Sequence, residues 1–164
     1  MDDEEEYKKG RYYALKRLSL QPMLSHKLAS FLKERDVSEG VVERLIKELT
    51  NLGLINDEEW IQSFMRHQLR KKMGPLAIVQ KLANKGIRGV FVKESVAEKW
   101  TPQEQKTLIK ELLKSRYQKY NLKDFKEKNK VVASLSRRGF ELSYIFESVN
   151  INLEKSDQDF FFDL

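Results

Sequence analysis

Hydrophobic side chains recur at intervals of three and four residues along almost the whole chain. The recurring groups are Tyr12, Leu15 and Leu18; Leu28, Phe31 and Leu32; Val42, Leu45, Ile46 and Leu49; Trp60, Ile61, Phe64 and Met65; Ile78, Val79 and Leu82; Leu108, Ile109, Leu112 and Leu113; and Phe125, Val132 and Leu135. Such spacing places apolar side chains on one side of an α-helix, whereas a half-buried strand alternates apolar and polar residues. No convincing alternation occurs, and most of the three prolines and seven glycines stand between the apolar groups. The pattern predicts an all-α protein.

Polar residues mark where several of these helices begin. Asn56 and Thr101 are each followed three residues later by a glutamate, Glu59 and Glu104, as in a capping box. Gly74-Pro75 opens a further helix, since proline suits the first helical position. Long helices are expected to begin near residues 7, 57 and 102. We interpret the acidic residues at these starts as structural rather than catalytic.

One pattern occurs three times at a spacing near fifty residues: a leucine, four residues later a glycine or aspartate, and then an apolar residue. The copies are Leu32-Asp36-Val37, Leu82-Gly86-Ile87 and Leu135-Gly139-Phe140. In the same register, the apolar residues Val42, Val92 and Ile145 coincide. Glycine just past a helix end accepts the left-handed conformation, and aspartate tolerates it. The pattern indicates an internal repeat in which the three leucines are equivalent buried positions.

The chain is therefore predicted to consist of three tandem three-helix repeats with an acidic extension at each end. The predicted segments are an acidic N-terminal arm at residues 1–6, repeats at 7–55, 56–100 and 101–152, and an acidic–aromatic tail at 153–164. Units of this size are marginal alone, and stacking them predicts an elongated, curved modular body. A single globular helix bundle is the alternative.

The net charge is +6, but the charges are strongly segregated. Residues 2–6 contribute five acids and residues 157–164 contribute three, with no basic residue in either stretch. Residues 36–59 hold seven acids and two bases, residues 66–88 hold seven bases and no acid, and residues 106–138 hold eleven bases and three acids. Such segregation favours a polyanionic partner, nucleic acid first, and a partner surface of mixed sign second.

Within the basic stretches, lysines and arginines fall at helical spacing and form lines of like charge. Because a solvated helix face normally mixes signs, unpaired lines of this kind favour an anionic partner, with an ordinary solvated face as the alternative. The candidate partner- and nucleic-acid-binding residues are Arg66, Arg70, Lys71, Lys72, Lys81, Lys85, Arg88, Lys106, Lys110, Lys114, Arg116, Lys126, Lys130, Arg137 and Arg138. Trp60 and Phe64 could stack on nucleobases, but their place in an apolar stripe favours core packing.

Enzymatic chemistry has little support in the sequence. There is no cysteine, and the two histidines, His26 and His67, are far apart in the chain without a partner at metal-ligand spacing. No glycine-rich phosphate loop or nucleophile elbow occurs. No apolar run approaches the roughly 18–20 residues of a membrane span, and the N-terminus is acidic, unlike a signal peptide. We expect a cytoplasmic monomer without catalytic activity, metal or cofactor.

Residues 57–87 carry a motif of regularly spaced aromatic, basic, apolar and glycine residues. Its members are Asp57, Trp60, Phe64, Arg66, Gly74-Pro75, Ile78, Leu82 and Gly86-Ile87. This motif resembles the central repeat of the RecX family of recombination regulators. Residues 13–55 are similar to that family's opening repeat, and residues 128–145 are similar to its final repeat. The resemblance extends over about residues 12–150.

The chain departs from the family pattern at three places. Gln68 stands where the family usually has a second arginine, and glutamine cannot make an arginine's charge-assisted contacts. Lys72-Met73 replaces the Gly-Lys pair often seen before Gly-Pro, and Asp36 replaces the glycine that ends the first repeat's helix. The acidic arm and the aromatic tail lie outside the resemblance.

The resemblance implies a non-enzymatic regulator that binds the RecA recombinase. RecX proteins lie in the helical groove of the RecA–DNA filament and restrain its ATPase, strand-exchange and co-protease activities in recombination and the SOS response. The implied partners are the RecA filament and, directly or through RecA, single-stranded DNA. Charge alone leaves open a module that binds single- or double-stranded DNA directly through its basic helix faces; a nucleic-acid enzyme has no residue support.

Overall fold

A computed structural model describes residues 3–150 and shows nine α-helices and no strand within that range. The helices are α1 (Asp3–Leu18), α2 (Ser25–Lys33), α3 (Glu39–Asn51), α4 (Asp57–Arg70), α5 (Pro75–Asn84), α6 (Val90–Lys99), α7 (Pro102–Lys114), α8 (Phe125–Arg137) and α9 (142–150). The all-α prediction is confirmed. Residues 151–164, and with them the predicted acidic–aromatic tail, lie outside the described residues.

The chain forms two compact units, one ending at Phe64 and the other beginning at Met65. The unit boundary falls inside α4, whereas the sequence predicts repeat boundaries after residues 55 and 100. The division into three repeats and the elongated body stay predictions.

In the first unit, α3 packs against both α1 and α2. Its core includes Ala14, Leu28, Leu32, Leu45 and Leu49, all fully buried. Gly10 of α1 lets the helices approach closely: a Cβ added there would lie 2.9 Å from Leu45 Cδ1. The buried residues of α1 are therefore Gly10 and Ala14, whereas Tyr12, which has the helical spacing of apolar residues, is 60 % exposed.

The first helix also begins earlier than the predicted start near residue 7. Its first turn contains Asp3, Glu4, Glu5 and Glu6, where carboxylates interact favourably with the helix dipole. Arg44 of α3 lies 3.8 Å from Asp3 and 3.9 Å from Glu4, and Glu6 accepts a hydrogen bond from the Ser38 amide. These acidic residues are thus part of a helix that contacts α3.

The three predicted helix ends share one backbone geometry. Asp36, Gly86 and Gly139 have φ values of 59°, 86° and 87°. The amide that follows each donates to the carbonyl of the preceding leucine: Val37 to Leu32 at 3.2 Å, Ile87 to Leu82 at 3.0 Å and Phe140 to Leu135 at 3.4 Å. This is the Schellman arrangement of a left-handed helix C-terminus. The three leucines are fully buried, which confirms their predicted burial. Their equivalence in successive repeats stays a prediction.

In the second unit, the start of α5 and the corner between α8 and α9 meet backbone to backbone. The Gly74 amide donates to the Arg138 carbonyl at 2.7 Å, and the Leu76 amide donates to the Gly139 carbonyl at 3.0 Å. A Cβ on Gly74 would lie 2.3 Å from the Gly139 carbonyl carbon. A Cβ on Gly139 would lie 2.2 Å from the Ala77 nitrogen. We call this contact the glycine joint.

Side-chain caps begin three helices as their sequences require. Glu59 N donates to Asn56 Oδ1 at 2.9 Å and Glu104 N donates to Thr101 Oγ1 at 3.2 Å, which confirms both predicted capping residues. Asp124, which was not predicted as a cap, caps α8 in the same manner.

The buried residues of α8 are Val131 and Leu135. The prediction that Phe125 and Val132 share that buried face is corrected, because Phe125 is 76 % exposed and Val132 is half-buried.

Candidate nucleic-acid and partner interface

All of the candidate binding residues lie in the second unit, and several of them stabilise its fold. Lys72 Nζ pairs with Glu111 at 2.7 Å, and Lys81 Nζ donates to Gln68 Oε1 at 2.9 Å. Arg138 Nη1 donates to the carbonyls of Lys71 at 3.0 Å and Lys72 at 3.2 Å, beside the glycine joint. Lys72, Lys81 and Arg138 are half-buried, so their first role is to join helices.

Lys106 is likewise engaged within the protein. Its ammonium lies 2.8 Å from Glu147 of α9 and 5.4 Å from the centre of the Tyr144 ring. The expected line of unpaired lysines on α7 is therefore shorter than predicted, because it begins at Lys110 rather than Lys106. Lys110 and Lys114 are exposed and one helical turn apart.

Gln68, the departure from the family pattern, is 5 % exposed and accepts the hydrogen bond from Lys81. A neutral amide in this position satisfies the ammonium without adding charge. The substitution thus has a local structural consequence, since it draws Lys81 into the packing of α4 against α5.

Most of the remaining candidates face solvent. Nine are exposed and their side chains have no polar partner among residues 3–150. These are Arg70, Lys71, Arg88, Lys110, Lys114, Arg116, Lys126, Lys130 and Arg137. Arg66 is exposed and Lys85 is half-buried, and each makes an interaction of its own. The nine exposed residues are the strongest remaining candidates.

Three of the nine meet at a cleft of about 450 Å³ between the α7–α8 connection and the face of α8. Its lining residues are Arg116, Tyr117, Lys119, Tyr120, Lys130, Val131, Ser134 and Arg137. Four of them carry a positive charge, and none is acidic. We call this feature the basic cleft. Lys130, Ser134 and Arg137 belong to one face of α8, because they are spaced at four and three residues.

Buried and hydrogen-bonded groups hold the basic cleft in shape. The Tyr117 amide donates to the Leu112 carbonyl at 3.0 Å, which turns the chain at the end of α7. Tyr117 is 5 % exposed, and its hydroxyl lies 2.7 Å from Ser134 Oγ. Tyr120 stands edge-on to Tyr117, with 6.1 Å between ring centres, and is half-buried. The connection is therefore fixed to α8 by an aromatic side chain.

Three residues of the basic cleft, Tyr117, Lys119 and Tyr120, are not among the site residues predicted from the sequence. The available signal was the alternation of basic and aromatic residues in Arg116-Tyr117-Gln118-Lys119-Tyr120. Because this segment connects two helices, it has no helical periodicity, and a search for charge lines on helices passes over it.

The first unit has a cleft of a different character, with a volume of about 360 Å³. Its lining includes both signs of charge, and Lys33 Nζ pairs with Glu39 Oε1 at 2.6 Å. The hydrogen bond and positive charge of Lys33 lower the pKa of the Glu39 carboxyl.

The rings of Trp60 and Phe64 on α4 stack on each other with 5.5 Å between ring centres, and both are half-buried.

Residues 3–150 contain no group of three or more histidine, aspartate or glutamate side chains placed to hold a metal ion. None of their helices is long and apolar enough to cross a membrane. Asp57, at the start of α4, accepts a 2.7 Å hydrogen bond from the amide of Ser25, the first residue of α2.

This chain is similar in sequence to known RecX proteins. A family model described as the third three-helix domain of RecX matches residues 103–148. The regulatory protein RecX of Streptococcus uberis is 30 % identical over 158 residues, which are 94 % of this chain and 60 % of the relative. The RecX protein of Bacillus mycoides is 27 % identical over 144 residues, or 86 % of this chain and 53 % of the relative.

Two solved structures are similar to this chain in fold. The crystal structure of RecX from Lactobacillus salivarius has a TM-score of 0.74 at 27 % identity, covering 89 % of this chain and 96 % of that one. A second crystal structure of regulatory protein RecX has a TM-score of 0.73 at 29 % identity, covering 90 % of this chain and 73 % of that one.

Over most of its length this chain is similar to RecX proteins in sequence and in fold. It spans about 60 % of the length of the first curated RecX relative that it matches. The part matched as the third three-helix domain of RecX includes α7 from residue 103 and all of α8, and every residue of the basic cleft. The strongest candidate surface thus lies in the part of the chain that matches a RecX domain model.

Proposed function

We propose that this RecX-like protein is a non-enzymatic regulator that binds the RecA recombinase filament in its helical groove. It lowers the ATPase, strand-exchange and co-protease activities of RecA in recombination and the SOS response. The observation that carries the proposal is the set of exposed lysines and arginines in the second unit, in a chain similar to RecX proteins. The proposed site of action is the cytoplasm, and the acting species is a monomer.

The charge distribution suits a filament that contains DNA. A nucleoprotein filament presents phosphates as well as protein, and clustered cations increase the rate of encounter with such a polyanion. Exposed cations occur on α4, α7, α8 and the connections beside them. A partner that contacts several of these elements together would gain from each, although one exposed ion pair contributes only about 0.2–1 kcal/mol.

The decisive experiment is a titration of RecA ATPase activity on single-stranded DNA with this protein. We expect the ATPase rate to fall as the protein is added. An unchanged rate at saturating protein would contradict the proposal.

A pair of charge reversals tests whether the exposed cations are the contact surface. Lys110→Glu with Lys114→Glu should raise the concentration needed for half-inhibition about tenfold or more, because two attractions become repulsions. The matched control is Lys8→Glu with Lys9→Glu, the same change of charge at exposed positions of α1. Circular dichroism and thermal melting verify that both variants fold. Equal inhibition by the two variants would exclude the α7 lysines from the contact.

Direct DNA binding is the second candidate function, and the basic cleft is the observation that favours it. The two functions differ in their salt dependence without RecA. Binding of naked single strands through several phosphates would give a log–log slope of about −0.7 per phosphate neutralised, whereas a protein-binding regulator would bind naked DNA weakly.

A further inference from the structure

We propose that the basic cleft is a binding site for the backbone of single-stranded nucleic acid, in which Arg116, Lys119, Lys130 and Arg137 hold phosphates and Tyr120 stacks on a base. This inference deepens the DNA side of the proposed function and rests on its premise that the second unit meets a nucleoprotein filament. The chemistry concerns a site of the naked protein, so it can be tested without RecA.

The basic cleft is lined by positive charge. Four cationic side chains converge on about 450 Å³, and no carboxylate lines the space. The nearest acidic residues along the chain after the cleft connection, Asp124 and Glu127, are absent from its lining. Their carboxylates accept hydrogen bonds from backbone amides, Asp124 from Glu127 at 2.9 Å and Glu127 from Asn121 at 2.5 Å. Like charges that face one cleft repel one another, so an anion that enters it relieves that repulsion.

Burial and hydrogen bonds within the protein fix the shape of the cleft. Val131 is 1 % exposed, and Tyr117 is fixed by its hydrogen bond to Ser134. The Tyr120 amide donates to the Tyr117 carbonyl at 3.0 Å, which sets the position of the second ring relative to the first. A preformed site loses less conformational entropy on binding than one that must be ordered.

The size of the cleft and the ring of Tyr120 favour a single strand over a duplex. A volume of about 450 Å³ lies in the range of about 300–1,000 Å³ typical of small-ligand pockets, so the cleft accepts one or two nucleotides rather than a double helix. Tyr120 is half-buried and offers a ring beside the cations, with Lys119 Nζ 5.8 Å from its centre. Stacking on such a ring requires an unpaired base, which a single strand supplies and a duplex hides.

The test measures fluorescence anisotropy of a labelled oligo(dT) of about ten nucleotides, within the usual range of single-strand site sizes, without RecA. Lys130→Glu with Arg137→Glu should weaken binding about tenfold or more and reduce the log–log salt slope by about 1 to 1.5. The control, Lys8→Glu with Lys9→Glu, has the same change in charge outside the lining of the cleft and should alter affinity less than about twofold. Equal losses in the two variants would overturn the proposal.

The tyrosine separates stacking from a purely structural role. Tyr120→Ala should weaken oligo(dT) binding at least about fivefold, whereas Tyr120→Phe retains the ring and should bind as the unaltered protein does. A loss of the same size in both variants would contradict stacking. Thermal melting checks that each variant folds, and the phenylalanine variant keeps the test informative if the alanine variant does not.

Further arms identify the source of the phosphate. Inorganic phosphate should compete only at millimolar concentration, and a duplex of the same length should lose little affinity when Tyr120 is changed to Ala. Competition by phosphate as strong as by oligo(dT) would indicate an anion site without a nucleic-acid function. If the oligonucleotide binds through the cleft but RecA ATPase activity is unaffected, the cleft assignment holds and the regulator proposal fails. If the protein inhibits RecA ATPase activity but the cleft variants bind the oligonucleotide normally, the regulator proposal holds and the cleft assignment fails.

Discussion

Gly139 combines a left-handed backbone with a crowded environment. Its φ is +87°, and an added Cβ would lie 2.2 Å from the Ala77 nitrogen and 2.4 Å from the Ala77 Cβ. Gly53 offers a comparison, because its φ is +70° and nothing lies within 4 Å of its added Cβ. The two glycines therefore separate the energy of backbone conformation from the energy of contact.

Replacing Gly139 by alanine should destabilise the protein much more than replacing Gly53. Gly53→Ala should lower the free energy of unfolding by about 1–2 kcal/mol through its conformation alone. Gly139→Ala should exceed that by about 1–3 kcal/mol, because the backbone of α5 has to move away. Urea unfolding followed by circular dichroism measures both. Similar losses in the two variants would show that the glycine joint yields easily.

At this scale the sequence predicts conformation better than contact. The spacing of Gly139 after Leu135 predicts a left-handed helix end, which the structure confirms. Its approach to Ala77 depends on two segments far apart in the chain, and no local pattern records it. For the same reason the sequence could not indicate that Lys106 pairs with Glu147.

Among the helices, α8 matters most for the candidate site, because it carries two of the four cleft cations. Asp124 caps its first turn by accepting the Glu127 amide at 2.9 Å. The helix then places Lys130 and Arg137 along the wall of the basic cleft. The cap therefore supports the element that positions those charges.

Removing the cap should destabilise α8 without changing its charged face. Asp124→Ala should lower the free energy of unfolding by about 0.5–2 kcal/mol, whereas Asp124→Asn should have little effect, since asparagine caps helices about as well. Urea unfolding gives the comparison. If the asparagine variant were as unstable as the alanine variant, the carboxylate charge rather than the cap would be responsible.

The helices themselves follow closely from the sequence, but their buried faces do so less reliably. Tyr12 and Phe125 satisfy the apolar spacing of α1 and α8 and are nevertheless exposed. Small residues, Gly10 and Ala14, take the buried positions of α1, because they let α3 approach. The basic cleft involves the connection at 115–124, where helical periodicity offers no guide.

For the whole molecule, the segregation of charge matters more than the net value of +6. Residues 157–164 contribute three aspartates and no basic residue, while residues 106–138 hold eleven bases and three acids. Charges on one small protein influence the same incoming polyanion over distances up to the Debye length, about 10 Å at 0.1 M salt and about 30 Å at 0.01 M.

Neutralising the C-terminal acids should therefore tighten binding to single-stranded DNA at low salt. Asp157→Asn with Asp159→Asn and Asp163→Asn should raise affinity about two- to fivefold near 0.01 M salt, and the gain should fade as screening increases. Deleting residues 157–164 is the companion variant, because it also removes the three phenylalanines. A greater gain from the deletion would assign part of the effect to the aromatic residues; no gain from either variant would contradict the electrostatic argument.

The glycine joint also affects how the second unit folds. Helices form from local contacts, but the joint links backbone segments that are distant in sequence, as the separation of 67 positions from Lys71 to Arg138 illustrates. Closing so long a loop is entropically unfavourable until the contacts at its ends reward it, and topologies with distant contacts fold more slowly. The contact that closes this loop falls on Arg138, the residue that follows Arg137 of the basic cleft. The position of that cleft residue therefore depends on a backbone segment far earlier in the chain.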